Sequence, residues 1–257
     1  MRCQAAGGQV TLSPMADNDD ARSGAQPRAT LLLTRPRAAS ERFAADVAAL
    51  GLPLDIVISP LMEIVPTDAI PVLSKGTDVI FTSSHAVEFA GPGAGRRAWC
   101  VGTRTANAAS DAGFEAVMAG ACAEELIARL LDERPGTPLA HLHGTHQRGD
   151  VARRLADAGL EVASHVLYDQ VAVPPDAAFS DALARAPLLV ALFSPRSAAL
   201  FASAAGPAWR AGPSVTILTL SLAVQSALPP GWGAFTDVAE HADGPSMLDA
   251  ISRRIFP

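Results

Sequence analysis

The sequence predicts an α/β protein with two similar parallel-sheet lobes and a cleft between them. Three observations lead to this prediction. Short apolar runs of strand length alternate with segments of helical periodicity, which is typical of parallel sheets covered by helices. Two apolar segments follow one another without a clear helix and could cross between lobes. A strand–serine–helix segment occurs twice, which suggests that the lobes are related.

The elements follow in chain order from residue 29. Ser40 is expected to cap a helix whose apolar positions Phe43, Val47 and Leu50 share one face, and Gly51 stands where such a helix ends. Further helices are predicted over 86–89, 105–111, 147–158 and 198–204, and shorter signals indicate one near 223 and one from 246. Another helix is predicted where Leu126, Ile127, Leu130 and Leu131 form one apolar stripe. Strands are predicted at 31–33, 54–58, 61–65, 78–81, 98–101, 115–118, 139–142, 162–173, 188–193, 215–220 and 234–238.

The segments 61–65 and 162–173 are the two without a clear helix between neighbouring strands, and we interpret them as the crossings. The first lobe is then discontinuous, with residues 29–62 and 173–257, and the second lobe covers 66–167. Residues 1–28 are rich in Gly, Asp, Asn, Ser and Pro and have no periodicity. We expect them to form a flexible N-terminal extension.

Composition excludes several classes of function. The 257 residues are 49% hydrophobic and 18% charged, which indicates a globular protein, and the net charge of −6 without a basic run disfavours nucleic-acid binding. Three scattered cysteines favour neither a disulfide framework nor a zinc site and fit a reducing cytoplasm. No apolar run is long enough to cross a bilayer, so we expect no membrane partner.

The internal repeat relates residues 79–89 to residues 190–200 and aligns Ser83 with Ser194. Each copy is followed by another strand that leads to a hydroxyl-rich turn, with Thr103 and Thr105 in one copy and Ser221 in the other. The first N–H groups of a helix lack intrahelical partners, and such turns bind carboxylates and phosphates. The alternative is that these side chains are plain helix caps.

Familiar motifs of nucleotide binding and hydrolysis are absent. The sequence has no glycine-rich phosphate loop and no nucleophile elbow. His141 and His143 would share one face of a strand, which allows a metal-binding interpretation, but no nearby Cys, Asp or Glu completes a ligand set. We therefore predict no metal site, and we expect His143 and His146 at a strand end, lining the cleft or in solvent.

An ordered set of short motifs resembles one known family, the uroporphyrinogen-III synthases. The resemblance spans most of the chain, and no single motif is strong. Its pieces are Leu33-Thr-Arg-Pro36, Pro60-Leu-Met-Glu-Ile64, Ile80-Phe-Thr-Ser-Ser-His-Ala-Val87, Val101-Gly-Thr-Arg-Thr-Ala106, the strand, Gly144 turn and helix of 139–158, Val166-Leu-Tyr-Asp169 and Phe193-Ser-Pro195.

The resemblance implies two α/β lobes joined by a two-stranded connector, with the active-site cleft between them. It implies a lyase of tetrapyrrole (porphyrin, heme) biosynthesis that converts hydroxymethylbilane to uroporphyrinogen III, closing the macrocycle and inverting the last pyrrole ring. Members of the family need no metal or cofactor. We therefore expect a small-molecule substrate, a cytoplasmic location and a monomer.

The resemblance also implies site residues. Tyr168, the only tyrosine, falls where the family pattern has one and is expected to be the catalytic acid or orienting hydroxyl; alternatively it packs in the connector with its hydroxyl in solvent. Arg35 is the favoured cation for the substrate carboxylates, with Arg148 and Arg196 as further candidates. The other expected substrate-binding residues are Ser83, Ser84, Gly102, Thr103, Thr105, Gly144, Ser194 and Ser221.

One turn departs from the family pattern. Where the family reads approximately Ile-Gly-Pro-Thr-Thr-Ala, this chain reads Leu218-Thr-Leu-Ser-Leu-Ala223. The loss of a glycine and a hydroxyl predicts weaker carboxylate binding by the first lobe. An alternative function therefore stays open, that of a diverged, non-catalytic paralogue which binds an anionic tetrapyrrole or similar small molecule as a regulator.

Overall fold

The computed structural model describes residues 28–68, 71–147 and 149–256. The predicted N-terminal extension lies outside these ranges, apart from Arg28. Eleven strands run through the described residues. They are β1 (Ala29–Leu33), β2 (Leu54–Ile58), β3 (Met62–Pro66), β4 (Asp78–Phe81), β5 (Arg97–Val101), β6 (Glu115–Gly120), β7 (Leu139–Gly144), β8 (Val162–Ala172), β9 (Leu188–Leu192), β10 (Val215–Thr219) and β11 (Thr236–Val238).

Nine α-helices connect and cover these strands in the described part of the chain. They are α1 (Arg37–Ala49), α2 (Ser84–Phe89), α3 (Gly102–Asp111), α4 (Ala123–Glu133), α5 (Val151–Asp157), α6 (Ala177–Leu183), α7 (Pro195–Ala205), α8 (Leu222–Gln225) and α9 (Gly244–Ile255). A short 3₁₀ helix at Gly233–Phe235 precedes β11.

The strands form two sheets. The first sheet has the order β11-β10-β9-β1-β2, and all its neighbours are parallel. The second sheet has the order β3-β8-β7-β4-β5-β6, and it is parallel except for the β3–β8 ladder, which is antiparallel. The predicted α/β class with two mostly parallel sheets is confirmed. The predicted domain boundaries stay a prediction, because hydrogen bonding between strands does not measure independent folding.

The central strands β1 and β9 of the first sheet and β4 and β7 of the second are buried on both faces, as their apolar sequences require. Helices α6, α7 and α8 pack on one face of the first sheet, where Phe179 and Phe201 are fully buried, and α1 and α9 cover the other face. Helices α2 and α3 cover one face of the second sheet, and α4 and α5 cover the opposite face. The hydrophobic cores therefore hold each sheet rigid and leave the loops at the strand ends for function.

Most helix starts differ from the sequence prediction, and α2, α7 and α9 begin two or three residues earlier than predicted. Three further starts have a clear local cause. Helix α1 begins at Arg37 after Pro36, so Ser40 is not its cap; the Ser40 hydroxyl instead donates to the Arg35 carbonyl oxygen at 3.0 Å. Helix α3 begins directly after β5, at Gly102. Helix α5 begins only at Val151, because the two residues before it have positive φ.

Helix α6 was not predicted. Its cap is Asp176, whose carboxylate accepts the backbone N–H of Phe179 at 2.9 Å and the hydroxyl of Ser59 at 2.6 Å. The helix has only seven residues and is rich in alanine, so the periodic signal in the sequence is weak.

Candidate active site

A cavity of about 680 Å³ lies between the two sheets, at the carboxyl ends of their parallel strands. This edge is where open α/β sheets bind ligands. Residues that follow five strand ends line it, together with side chains of the β3–β8 ladder. The lining residues are Arg35, Pro36, Ala39, Met62, Ile64, Thr82, Ser83, His85, Val101, Ala123, His143, Gly144, His146, Gln147, Tyr168, Gln170, Phe193, Ser194, Arg196 and Ser197.

Tyr168 lies in β8, where the antiparallel ladder meets the parallel part of the second sheet. The residue is only 3% exposed. Its ring packs against Gly144 so closely that a Cβ atom on that glycine would lie 2.5 Å from the ring carbons. The rings of His85 and Phe89 lie about 6 Å away, with centroid distances of 6.0 and 5.9 Å. Gly144 thus gives the tyrosine room, and three neighbours fix the plane of its ring.

The environment of Tyr168 keeps its phenol protonated. Burial raises the pKa of the Tyr168 hydroxyl above its usual value of 10.0, Glu88 adds to the rise, and the side chain of Ser83 opposes it. A phenol with a raised pKa carries its proton throughout the neutral range. It can therefore donate that proton to a leaving group in the cavity.

The two aligned serines both occupy helix N-caps and both line the cavity. The Ser83 side chain accepts the backbone N–H of His85 at 3.3 Å at the start of α2. The Ser194 side chain accepts the backbone N–H of Ser197 at 3.1 Å at the start of α7, and the Ser197 hydroxyl accepts the Ser194 N–H at 3.0 Å. The predicted strand–serine–helix geometry is thus confirmed at both positions.

Arg35 supplies positive charge at the end of β1. Its guanidinium carbon stacks 4.2 Å from the centroid of the Phe193 ring, which holds the side chain at the cavity wall. Burial, followed by repulsion from Arg104 and Arg42, lowers the pKa of Arg35 to about 10. The group still carries its charge at neutral pH, and a bound anion would relieve the repulsion.

Arg196 belongs to the same wall. Its guanidinium donates to the carbonyl oxygen of Gln170 at 2.6 Å, so α7 of the first sheet is tied to the ladder of the second. The buried Nε atom of Arg196 has no hydrogen-bond partner among the described residues. A ligand oxygen would satisfy this donor.

The neighbouring histidines lie on one face of β7, with ring centroids 4.6 Å apart. His141 is fully buried, and burial, with repulsion from His143, lowers its pKa to about 3. The His143 ring is hydrogen bonded to Ser164 and to the carbonyl oxygen of Gly144, both at 2.7 Å, and His141 interacts with Thr82 at 3.3 Å. Within the described residues, no three His, Cys, Asp or Glu side chains come together to hold a metal ion.

A family model described as uroporphyrinogen-III synthase HemD matches residues 41–248. The chain belongs to the uroporphyrinogen-III synthase family. The resemblance seen in the short motifs is thus confirmed over most of the sequence. A comparison with curated proteins gives no match.

Solved structures of this family are similar to the chain. The uroporphyrinogen-III synthetase from Helicobacter pylori is 12% identical, covers 88% of this chain and 99% of its own, and superposes with a TM-score of 0.60. The native uroporphyrinogen III synthase from the extremely thermophilic bacterium Thermus thermophilus is 19% identical, covers 89% and 98%, and gives a TM-score of 0.40. The Helicobacter pylori structure shares the fold described above.

The cavity of this uroporphyrinogen-III synthase family member brings together half of the residues predicted from sequence. Arg35, Ser83, Gly144, Tyr168, Ser194 and Arg196 line it. Ser84, Gly102, Thr103, Thr105 and Ser221 are not among its lining residues, and Arg148 lies outside the described residues. Thr105 is buried and Thr103 is exposed, both within α3 and not at its cap. The binding roles of all these residues stay predictions.

Several site residues were missed in the sequence. His85 and Gln170 line the cavity, and Arg42 and Arg104 approach Arg35 from two different helices. Arg104 lies inside the Val101–Ala106 motif, which was the one available signal. None of the helices in the described ranges is both long and apolar enough to cross a membrane.

Proposed function

We propose that the protein is a lyase that converts hydroxymethylbilane to uroporphyrinogen III, with loss of water and inversion of the last pyrrole ring. Family membership over residues 41–248 is the observation that carries the proposal. The cavity between the sheets supports it, because it combines cationic, hydroxyl and phenol groups within a space suited to a small ligand.

The first step is loss of the terminal hydroxyl of hydroxymethylbilane. Tyr168 donates a proton to this hydroxyl, which leaves as water, and the terminal pyrrole becomes an electrophilic azafulvene. The raised pKa of the phenol supports this role, since the proton is present at neutral pH. The pyrrole nitrogen supplies the electron pair that expels the leaving group, so the substrate does most of the electronic work.

Orientation then decides which isomer forms. The azafulvene carbon is attacked by the substituted carbon of the last ring, which gives a spiro intermediate. Cleavage of the old bond and closure at the other side of that ring invert it, and a ring proton is lost. Without guidance, attack at the free end carbon gives the uninverted type I product. The protein therefore contributes by holding the chain of pyrroles in a folded arrangement.

The substrate carboxylates provide the handles for this orientation. Arg35 binds one through its charge, and the hydroxyl of Ser83 lies on the opposite side of the same cavity, near Tyr168. The close packing of Tyr168 on Gly144 fixes the acid relative to these anchors. The predicted roles of Ser84, Gly102, Thr103, Thr105, Arg148 and Ser221 are kept as part of this proposal. Ser194 is left out as a side-chain ligand, because its hydroxyl is committed to the cap of α7.

The altered turn at 218–223 does not line the cavity, and of its residues Leu220 lines a neighbouring groove beside Arg35. The intact cavity favours turnover over the regulatory alternative. Leu222, which replaces a family hydroxyl, is 69% exposed and points away from the buried core. The leaving group and the nucleophile both belong to the substrate, so the proposed reaction uses no cofactor. We also propose that the protein acts in the cytoplasm as a monomer.

The test supplies hydroxymethylbilane generated in situ and separates the uroporphyrin isomers after oxidation of the products. The proposal predicts type III as the main isomer, whereas the enzyme-free control gives type I. A product mixture identical to that control would overturn the proposed function. If uroporphyrin nevertheless binds, the regulatory alternative is supported.

A further inference from the structure

A second groove of about 650 Å³ adjoins the cavity. It shares Arg35, Ala39 and Phe193 with the cavity and extends outward between α1, α3 and the start of α9. Two further arginines line it, Arg42 and Arg104. The groove is therefore continuous with the candidate active site and carries three guanidinium groups on its walls.

These arginines come from both halves of the fold. Arg35 follows β1 and Arg42 lies on α1, both packed with the first sheet, whereas Arg104 lies in the first turn of α3 on the second sheet. Repulsion from Arg104 and Arg42 adds to desolvation in lowering the pKa of Arg35. In the same way, repulsion from Arg42 adds to desolvation in lowering the pKa of Arg104. Burial lowers the pKa of His85, and repulsion from Arg104 and Arg42 lowers it further. The cluster spans the mouth of the cleft.

No acidic side chain forms an ion pair with the cluster within the described residues. In that part of the chain, none of the three arginines has a carboxylate within 4.0 Å. Asp46 lines the groove beyond that distance, and the Asp243 carboxylate accepts the Ser246 N–H at 2.8 Å as the cap of α9. Glu88 is the acidic group that favours the charge of Arg104, and it lies in contact with His85.

Seven other arginines of the described residues form ion pairs, whereas the three of the cluster form none. These seven are Arg28, Arg37, Arg97, Arg129, Arg153, Arg154 and Arg254. Bringing three like charges together costs stability unless a ligand of opposite charge occupies the space between them. Planar guanidinium groups are also suited to two-point binding of carboxylates.

We propose that Arg42 and Arg104, with Arg35 between them and the cavity, form a second carboxylate subsite that binds peripheral acetate or propionate groups of the tetrapyrrole at the mouth of the cleft. The proposal rests on the function proposed above for its choice of ligand. Since Arg42 and Arg104 stand on opposite halves of the fold, a carboxylate held by both links the two sheets across the bound substrate.

The binding test uses uroporphyrin, followed by its fluorescence, with the wild type and the double variant Arg42→Gln/Arg104→Gln. We expect the variant to bind about tenfold more weakly and to show a shallower dependence on salt, because two charge-assisted contacts are lost. The matched control is Arg129→Gln/Arg153→Gln, which changes the net charge equally at exposed, ion-paired positions. Affinity within about twofold of the wild type is expected there. A double variant that binds no more weakly than this control would overturn the proposal.

Two further measurements separate loss of the subsite from loss of the fold. Removal of the repulsion should raise the Tm of the unliganded double variant by about 1–3 °C. The variant Arg42→Lys/Arg104→Lys, which keeps the charges, should retain affinity within about threefold of the wild type. Equal losses in the Gln and Lys variants would contradict a subsite based on charge.

Turnover distinguishes this proposal from the proposed function. With hydroxymethylbilane, the Gln double variant should raise KM about tenfold and change kcat little, because neither arginine reaches the acid at Tyr168. A wild type that forms no type III product, while the double variant still loses uroporphyrin affinity, would reject the function and keep the subsite. Normal turnover with unchanged affinity in the double variant would reject the subsite alone.

Discussion

The two sheets have the same strand order but present different chemistry to the cavity between them. The order β11-β10-β9-β1-β2 in the first sheet corresponds to β6-β5-β4-β7-β8 in the second, to which β3 is added at the edge. Aligned serines end the central strands β9 and β4, at Ser194 and Ser83. The repeat thus extends from a short sequence match to the arrangement of five strands.

The serine turns differ in what their hydroxyls do. Ser194 and Ser197 bond to each other's backbone N–H groups, which completes a capping box. At the equivalent place after Ser83 stands Ala86, which has no hydroxyl, so Ser83 accepts one longer bond from His85 and its side chain interacts with Tyr168. The Ser83 hydroxyl is therefore not held in a capping box and lies beside Tyr168, whereas that of Ser194 is committed to its helix. The residue three positions after the serine, Ala86 in one turn and Ser197 in the other, therefore decides whether the serine is held in a capping box.

The strands beside the serine turns differ as well. When the two sheets are aligned through β4 and β9, His141 of β7 corresponds to Leu33 of β1. His143, two residues further along, then corresponds to Arg35. The first sheet thus contributes a cation, and the second contributes a buried imidazole pair together with Tyr168 on β8. If the proposed roles hold, the duplicated fold has a binding side that carries Arg35 and a catalytic side that carries Tyr168.

The largest effect is expected at the catalytic side. Tyr168→Phe removes the proton donor and should lower kcat for type III formation about 100-fold, at the lower end for acid catalysis because the azafulvene forms readily. Uroporphyrin affinity should stay within about threefold of the wild type, since the ring still fills its place against Gly144. Isomer analysis and fluorescence titration measure both quantities. Unchanged kcat would remove Tyr168 from the mechanism.

The second prediction concerns the buried histidine that the first sheet lacks. The pKa of His141 is about 3 in the folded protein and 6.5 in the unfolded chain, so the unfolded state binds the extra proton between these values. The contribution of neutral His141 to the free energy of unfolding is therefore fully present above pH 6.5 and is lost as the pH falls towards 3. Between pH 7 and pH 5 the loss is on the order of 2 kcal/mol.

The measurement is urea unfolding of the wild type and His141→Gln at pH 7 and pH 5. The variant should lose about 2 kcal/mol less than the wild type over this interval, whatever its stability at pH 7. Parallel losses in the two proteins would show that His141 is not held neutral by its buried position.

The smallest effect distinguishes the two serines directly. Ser83→Ala should raise KM about 3–10-fold, from loss of one hydrogen bond to substrate, with little change in stability. Ser194→Ala should lower the free energy of unfolding by about 1 kcal/mol, from loss of the capping box, with little change in KM. Kinetics and urea unfolding of both variants give the answer. The reverse pattern would exchange the roles assigned to the two turns.

The sequence was sufficient for much of the fold. Strands β2 and β4 have the predicted bounds, because apolar runs of strand length with clear ends leave little choice. Helix α6 escaped prediction because its stability comes from packing of Phe179 against the first sheet and from capping by Asp176, not from periodicity. The start of α1 was wrong because Pro36 supplies a start that needs no side-chain cap.

The site was predicted in part for a related reason. Tyr168, Ser83 and Arg35 stand in recognisable motifs at strand ends, and a parallel sheet gathers such ends at one edge. Arg42 and Arg104 resemble ordinary helix-surface arginines in the sequence, and only the folded structure shows that they line the same groove. The difference between the two serine turns was also not predicted, because the sequence repeat aligned Ser83 with Ser194 without regard to Ala86 and Ser197.

The most direct test of a cleft with a binding side and a catalytic side is a crystal structure of the complex with uroporphyrinogen III. The account predicts the product between the two sheets, with a carboxylate on Arg35, the Ser83 hydroxyl bonded to the ligand and Tyr168 beside the inverted ring. The Ser194 hydroxyl should keep its bond to the Ser197 N–H. A product bound away from this cavity, or held by the Ser194 hydroxyl while Ser83 makes no contact, would contradict the account.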